Sequence, residues 1–256
     1  MAAGADDAAL SRPLTPRIHL PSEPVTVNPS SATSDTPAAP APGARALRVW
    51  DLPTRLFHWM LALAIIGSVV SIKTGHTDWH FRFGYLILAL ILFRLIWGVI
   101  GPRYARFASF PLQPALAWRT LRGAPVTRAG HSPLAALSVY ALLASCALQV
   151  LTGLFANDGI LWDGPLRKWV TGSTSDAITA LHLANRFVLI GLIVLHLLAI
   201  AWYRVVRRSN LVTPMITGDS AHAPPDSEPA QDGWPIRARA LAVFAACALV
   251  VAWLVR

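Results

Sequence analysis

The chain has 256 residues, of which 54% are hydrophobic and only 14% are charged. A soluble domain carries about 25% charged residues, so this composition excludes an ordinary soluble protein and favours an integral membrane protein. The net charge of +9 does not indicate nucleic-acid binding, because the basic residues flank apolar segments rather than form an aromatic-rich stripe.

Residues 1–44 are rich in Ala, Pro, Ser and Thr, and we predict that they form a disordered tail. Five apolar segments follow, and each is close to or above the ~17–25 residues that a membrane-spanning helix needs. They lie at about 54–72, 80–100, 133–155, 177–203 and 236–255. We therefore expect an all-α membrane protein.

The predicted domains follow from these segments. A four-helix transmembrane bundle covers residues 45–218, a polar linker covers 219–235, and a fifth, C-terminal transmembrane helix covers 236–256. The fifth segment is the least secure span, because it could also lie partly in the membrane interface.

The basic residues predict the orientation in the membrane, because cytoplasmic loops carry an excess of Lys and Arg. On the side of the membrane where the amino terminus lies, the segments are flanked by thirteen basic residues: Arg45, Arg48, Arg55, Arg103, Arg106, Arg119, Arg122, Arg128, Arg204, Arg207, Arg208, Arg237 and Arg239. The opposite side holds five: Lys73, Arg82, Arg167, Lys168 and Arg256. This places the amino terminus in the cytoplasm and the carboxyl terminus outside, which is the periplasmic side if the membrane is a bacterial inner membrane.

Four histidines lie in or at the ends of these segments. His182 and His196 share the fourth segment, and fourteen helical steps fall about 40° short of four turns, so both imidazoles face one side, about 21 Å apart. His58 begins the first segment near the cytoplasmic face, and His80 begins the second near the outer face. The orientation therefore pairs His58 with His196 and His80 with His182.

Two imidazoles from different helices suit a haem iron better than zinc. Zinc takes four ligands, whereas a porphyrin supplies four nitrogens and leaves two axial positions to the protein. Bis-imidazole ligation leaves no open position, so such an iron would carry electrons. Glycines in the segments either make room for the macrocycle or allow close helix packing: Gly67, Gly84, Gly153 and Gly191.

The two cysteines, Cys146 and Cys247, lie in apolar runs without a CxxC or CxxCH motif. Neither a covalently attached c-type haem nor an iron–sulfur cluster is therefore supported.

Three arginines are candidates to bind the anionic propionates. Arg55 is one turn before His58, Arg94 is fourteen residues after His80 at the inner depth, and Arg186 is one turn after His182. We expect Arg55 and Arg94 to serve the inner haem and Arg186 the outer one. The alternatives are that Arg94 snorkels to the membrane surface and that Arg55 is an ordinary cytoplasmic anchor.

The opening run 49–59, Val-Trp-Asp-Leu-Pro-Thr-Arg-Leu-Phe-His-Trp, resembles the start of the bacterial cytochrome b561 family, which includes the b-type subunits of nickel–iron hydrogenases. The stretches at 79–98, 152–155, 181–196 and 210–218 are similar to the family in the same order. These motifs are specific in combination and weak singly.

The resemblance covers about residues 48–218 and implies a four-helix bundle that holds two b-type haems. Carried over position by position, the axial ligands are His58, His80, His182 and His196. Members of the family pass electrons between membrane quinones and partner redox proteins such as hydrogenase or reductase subunits or c-type cytochromes. The amino-terminal tail and the fifth segment are not part of the four-helix bundle that the resemblance implies.

The predicted function is transmembrane electron transfer through two b-type haems, between a quinone and a partner redox protein, either as an electron carrier or within a quinone-linked oxidoreductase. A quinone site is expected near Lys73, Asn157 and Asp158, although these could equally be ordinary polar groups of loops. A transporter or proton-conducting protein, and a zinc-binding membrane protein, remain alternatives, because both also place histidines inside spans.

Overall fold

The structure is a computed structural model that describes residues 47–122, 130–220 and 227–256. The predicted tail, the first two residues of the predicted bundle, residues 123–129 and residues 221–226 of the predicted linker lie outside the described residues. In chain order the elements are β1 (Leu47–Arg48), α1 (Leu52–Lys73), α2 (Thr77–Ile100), α3 (Pro114–Leu121), α4 (Pro133–Gly153), α5 (Gly172–Val205), α6 (Val212–Thr217), β2 (Asp219–Ser220) and α7 (Trp234–Leu254).

The five predicted spans correspond to the helices α1, α2, α4, α5 and α7, each of which is long and apolar enough to cross a membrane. The predicted all-α membrane fold is therefore confirmed. Its only described sheet is a small antiparallel pair in which Leu47 lies opposite Ser220. At 34 residues, α5 is about 51 Å long, so it extends beyond a hydrocarbon core of ~30 Å.

Polar side chains fix where the helices begin. The carboxylate of Asp51 accepts a hydrogen bond from the Thr54 amide at 2.9 Å, and Pro53 occupies the first turn of α1. Thr171 caps α5 in the same way, so this helix begins five residues before the apolar pattern predicts.

The central helix of the bundle is α2, which packs against α1, α4 and α7, while α5 packs against α4. Among the described residues, α5 packs closely on neither α1 nor α2. The bundle therefore holds α5 apart from the two helices that carry His58 and His80.

A buried carboxylate fastens α7 to the start of α1. Asp232 accepts hydrogen bonds from Arg48 Nη1 at 2.7 Å, the Leu52 amide at 3.0 Å and Arg237 Nε at 3.3 Å. Burial by itself would raise the pKa of Asp232, but these three hydrogen bonds hold it below the ordinary value. The carboxylate is therefore charged at neutral pH.

Replacing Asp232 with Asn should lower the free energy of unfolding by about 1–3 kcal/mol at pH 7, because its charge-assisted hydrogen bonds are lost. Since the folded-state pKa is depressed, the stabilisation is complete above the ordinary carboxyl pKa of about 4 and disappears as the pH falls through the lower folded-state value. Thermal unfolding in detergent, followed by circular dichroism at pH 7 and at lower pH, measures both effects.

The exposed ion pair between Arg103 and Glu228, 2.9 Å long, provides the matched control. Glu228→Gln should change the stability by less than about 1 kcal/mol. If Glu228→Gln lowered the free energy of unfolding as much as Asp232→Asn, the buried carboxylate would contribute no more to stability than the exposed ion pair.

Candidate metal centres

The structure brings the four predicted histidines together in two pairs. The rings of His58 on α1 and His196 on α5 have centroids 6.4 Å apart. The rings of His80 on α2 and His182 on α5 are also 6.4 Å apart, with planes at 89°. We call these the His58 pair and the His80 pair; each joins two helices that do not pack closely on each other.

This separation fits a single metal ion between the two rings of each pair. A metal–imidazole bond is about 2 Å long, so two imidazoles on opposite sides of one ion have ring centroids about 6 Å apart. Within the described ranges, no group of three or more His, Cys, Asp or Glu side chains could hold a metal. Two protein ligands alone suit a metal whose remaining ligands come from a macrocycle.

Hydrogen bonds to backbone carbonyls fix both rings of the His80 pair. His80 Nδ1 lies 2.9 Å from the carbonyl oxygen of Ser68, and His182 Nδ1 lies 2.9 Å from that of Gln149. Each Nδ1–H therefore donates to a neighbouring helix and leaves Nε2 as the metal-binding nitrogen, which is the usual arrangement for a ligating histidine.

A buried amide network lies beside His182, and it was not predicted from the sequence. Asn185 Nδ2 donates to Gln149 Oε1 at 2.7 Å and to the Ser145 carbonyl at 2.9 Å, while Ser145 Oγ donates to Asn185 Oδ1. Gln149 Nε2 also lies 3.1 Å from His182 Nε2. A signal was present, because Gln149 is a polar residue in the middle of an apolar span and Asn185 lies on the same face as His182.

Several buried polar atoms without hydrogen-bond partners belong to residues predicted to serve the inner haem. In the described part of the chain, His58 Nδ1, Arg55 Nε and Arg94 Nη1 are buried and accept or donate no hydrogen bond. All three residues are those predicted from the sequence to bind the inner haem. Because a buried donor without an acceptor is costly, the unpaired arginine atoms fit an anionic group between the helices.

Arg94 is the most deeply buried of the predicted propionate-binding residues, with 3% of its surface exposed. Its guanidinium carbon lies 4.7 Å from the centre of the Phe107 ring. It therefore does not snorkel to the membrane surface, the alternative considered from the sequence.

The other two predicted arginines contact groups of the protein. Arg55 donates to the carbonyl of Ile216, and its Nη2 lies 3.7 Å from Asp232. Arg186 is half-buried with its guanidinium carbon 4.6 Å from the centre of the Phe187 ring.

The four glycines have different surroundings. A Cβ atom at Gly67 would lie 2.5 Å from the Phe83 ring, so this glycine permits close helix packing. Gly84, one turn after His80, borders open space, and a Cβ at Gly153 would lie 3.1 Å from the His182 ring. Gly191 lies on nearly the opposite face of α5 from His182, because nine residues turn the helix by about 180°.

The residues expected near a quinone are engaged in the α4–α5 loop. Asn157 Nδ2 donates to Ser175 and Asp176, and the carboxylate of Asp158 accepts three backbone N–H bonds that lower its pKa. Lys73 is exposed at the end of α1. The contacts of Asn157 and Asp158 favour the alternative that they are structural groups of the loop.

Together, the helical fold and the paired histidines define a multi-pass membrane protein with two sites suited to hold a metal-bearing group between its helices. Residues 49–218 match the family model of prokaryotic cytochrome b561, so the chain belongs to this family. Membership gives it haem b as its cofactor and membrane electron transfer as its function, and it confirms the resemblance seen in the sequence.

Several curated relatives are described as "Probable Ni/Fe-hydrogenase B-type cytochrome subunit". The Cupriavidus necator protein is 27% identical over 228 residues, covering 74% of this chain and 93% of the relative. The Azotobacter chroococcum protein is 25% identical over 211 residues, covering 68% and 88%, and the Rhodobacter capsulatus protein is 25% identical over 209 residues, covering 66% and 79%. No solved structure gives a significant match.

If each histidine pair holds a haem, replacing Asn185 with Leu should disturb only the haem at the His80 pair. Gln149 then loses its hydrogen-bond partner beside His182, while the His58 pair is about 21 Å away along α5. We expect a shifted electron paramagnetic resonance signal and a shifted midpoint potential for one haem, since hydrogen bonding around ligands tunes haem potential. The signal of the other haem in the same sample is the control. Equal shifts of both signals would contradict a local role for the network.

Proposed function

We propose that this chain transfers electrons across the bacterial inner membrane through two b-type haems, between a membrane quinone and a hydrogenase. The observation that carries the proposal is the pair of histidine sites, each with ring centroids 6.4 Å apart and each built from two separated helices. Two such sites at different depths are what a route across a bilayer requires.

In this proposal the four histidines are the axial ligands of two haems. The separation of the rings and the carbonyl-bound Nδ1 atoms of the His80 pair support this assignment. Arg55 and Arg94 would bind the propionates at the His58 pair, and Arg186 those at the His80 pair. When bound, each haem supplies a one-electron redox couple; the protein fixes its position, its orientation and the polarity around it.

The basic residues support an amino terminus in the cytoplasm, with the His58 pair near the inner face and the His80 pair near the outer face. The proposed domains are the bundle of residues 45–218, the linker at 219–235 and the carboxyl-terminal helix at 236–256, preceded by the tail of residues 1–44. The family match ends at residue 218, so α7 is an addition to the shared core.

The hydrogenase is proposed as the partner because the curated relatives are described as hydrogenase cytochrome subunits. A c-type cytochrome is the other partner that the family resemblance offers. In either case the chain would act as the membrane subunit of a quinone-linked oxidoreductase.

Liposomes test the transmembrane function directly. The purified chain is reconstituted into quinone-free liposomes that contain ferricyanide, and ascorbate, which does not cross the bilayer, is added outside. The proposal predicts that internal ferricyanide is reduced only in liposomes that contain the haem-loaded chain, and that His196→Ala strongly slows this reduction. Transport of protons or zinc without reduction of ferricyanide would favour a transporter and contradict the proposal.

A further inference from the structure

The loop between α4 and α5 exposes large apolar side chains at the His80 end of the bundle. Ile160 is 94% exposed, Leu161 is 77% exposed, and Trp169, a few residues later, is 74% exposed. We call residues 158–162 the apolar loop. Burying a side chain of this size is worth about 1.5–3 kcal/mol, so a loop that fixes several of them outward favours a covering surface.

Hydrogen bonds fix the backbone of the apolar loop and thereby keep the side chains of Ile160 and Leu161 exposed. Asp158 Oδ1 accepts from the amides of Ile160, Leu161 and Trp162 at 2.8–2.9 Å. At the base of the loop, the amide of Gly164 donates to the carbonyl of Ala156 at 2.8 Å. The loop therefore presents Ile160 and Leu161 in one fixed arrangement, which suits a preformed contact.

The apolar loop is joined to the His80 pair by aromatic contacts. The ring of Trp162 lies 5.9 Å from that of Phe81, and the ring of Phe81 lies 6.4 Å from that of His80. A protein that covers the loop would thus lie a short distance from the proposed ligands of the outer haem.

The loop begins at the edge of the hydrocarbon core. When the two histidine pairs are centred in a core of ~30 Å, each lies about 4–5 Å inside its edge, and Thr179, three residues before His182, lies at the edge itself. The amide of Asn157 donates to Thr179 Oγ1 at 3.0 Å, which ties the start of the loop to this level. The following residues are therefore close to the aqueous phase.

The charges around the loop distinguish a protein partner from the lipid surface. Loops and helices that bind anionic lipid carry an excess of Lys and Arg. Residues 154–176 instead hold three acidic residues, Asp158, Asp163 and Asp176, against two basic ones, Arg167 and Lys168. This balance does not favour binding to anionic lipid headgroups, and it leaves a contact dominated by apolar surface.

We infer that the apolar loop is the docking surface for the hydrogenase, and that Ile160 and Leu161 are its central contacts. The inference rests on the proposed function, because that function supplies the partner. Since the contact is apolar, the association should depend only weakly on salt concentration.

The docking experiment uses the full chain, affinity-tagged, in the membranes of its own organism. Membranes are solubilised in digitonin, and complexes are separated on a native gel that is stained for hydrogen-dependent dye reduction. The wild-type chain should migrate with this activity at both low and high salt. Leu161→Asp and Ile160→Asp should each reduce the co-migrating activity by about tenfold or more.

The matched control is Leu112→Asp, at a leucine that is 51% exposed in the loop between α2 and α3 at the other end of the bundle, and it should preserve co-migration. Haem content and the reduction of ferricyanide in liposomes are measured for every variant, so that a failure of the proposed electron-transfer function is distinguished from a failure of docking. Co-migration that survives Leu161→Asp, or a wild-type chain that never migrates with hydrogenase activity, would overturn the inference.

A second measurement tests the lipid surface as the occupant. Both natural cysteines are buried, so a fluorescent maleimide on Leu161→Cys in nanodiscs reports residue 161. Quenching by aqueous iodide supports docking of a protein from the aqueous side. Quenching by lipid-borne nitroxide instead would show that the loop is a membrane anchor and would overturn the inference.

Discussion

Replacing His196 with Ala should lower the haem content from two to one per chain. His196 faces His58 across a gap that fits one metal ion, and the other pair is about 21 Å away along α5. Among the described residues, no other histidine is placed to take its position. The haem at the His80 pair should remain with its spectrum unchanged. The pyridine haemochrome assay, referred to protein concentration, gives the ratio.

The reciprocal variant, His182→Ala, should remove the other haem and spare the His58 pair. His76 provides the control, because it is exposed, lies four residues before His80, and has its Nδ1 3.0 Å from Thr74 Oγ1 rather than near another histidine. His76→Ala should therefore retain both haems. Retention of two haems in His196→Ala would disprove the ligand assignment, and loss of haem in His76→Ala would show that the partner of His182 is misassigned.

Replacing Arg94 with Gln should weaken haem binding at the His58 pair and lower the midpoint potential of that haem. The guanidinium is buried with Nη1 unpaired, and the proposed partner of this atom is a haem propionate. Removing one member of a buried ion pair costs about 3–5 kcal/mol, which corresponds to haem loss that is faster by on the order of 100-fold or more. Transfer of haem to apomyoglobin measures the loss, and a redox titration measures the potential.

The effect of Arg94→Gln on stability and haem binding shows whether Arg94 binds a propionate or is a buried cation without an anionic ligand. If no anion binds Arg94, the buried cation destabilises the protein, and Arg94→Gln should raise the melting temperature and leave haem binding unchanged. Arg239 is a suitable control, because it is exposed at the same end and donates to the carbonyl of Ile100. Arg239→Gln should leave both the haem content and the potentials unchanged.

The features that depend on helical periodicity could be predicted from the sequence. Fourteen residues between His182 and His196 suffice to place both on one face of α5, and the apolar lengths suffice to identify all five spans. The pairing with His58 and His80 followed from the orientation that the basic residues indicate, and in the structure the two rings of each pair lie 6.4 Å apart.

Features that depend on contacts between distant segments could not be predicted in this way. Asp232 fastens α7 to Arg48, which is 184 positions away in the sequence, and nothing in the local pattern around either residue indicates the other. The network of Asn185 and Gln149 likewise requires the relative rotation of α4 and α5. A polar residue within an apolar span indicated that Gln149 has a hydrogen-bond partner, but the sequence did not identify that partner as Asn185.

The apolar pattern predicts that the helices exist, but it does not predict all of their boundaries. The apolar pattern predicts the fourth span from residue 177, but α5 begins at Gly172 because Thr171 caps its first turn. The short surface helix α3 lacks the length of a span, and for that reason apolar length alone did not predict it.

The central claim is that each chain holds two haems between paired imidazoles, and one measurement on the purified wild-type chain tests it most directly. Haem is quantified per chain, and the spin state of the oxidised protein is determined by electron paramagnetic resonance. We predict two haems b per chain, both low-spin with two imidazole ligands. A chain that binds one haem or none, or a high-spin signal from an iron with an open position, would contradict this claim.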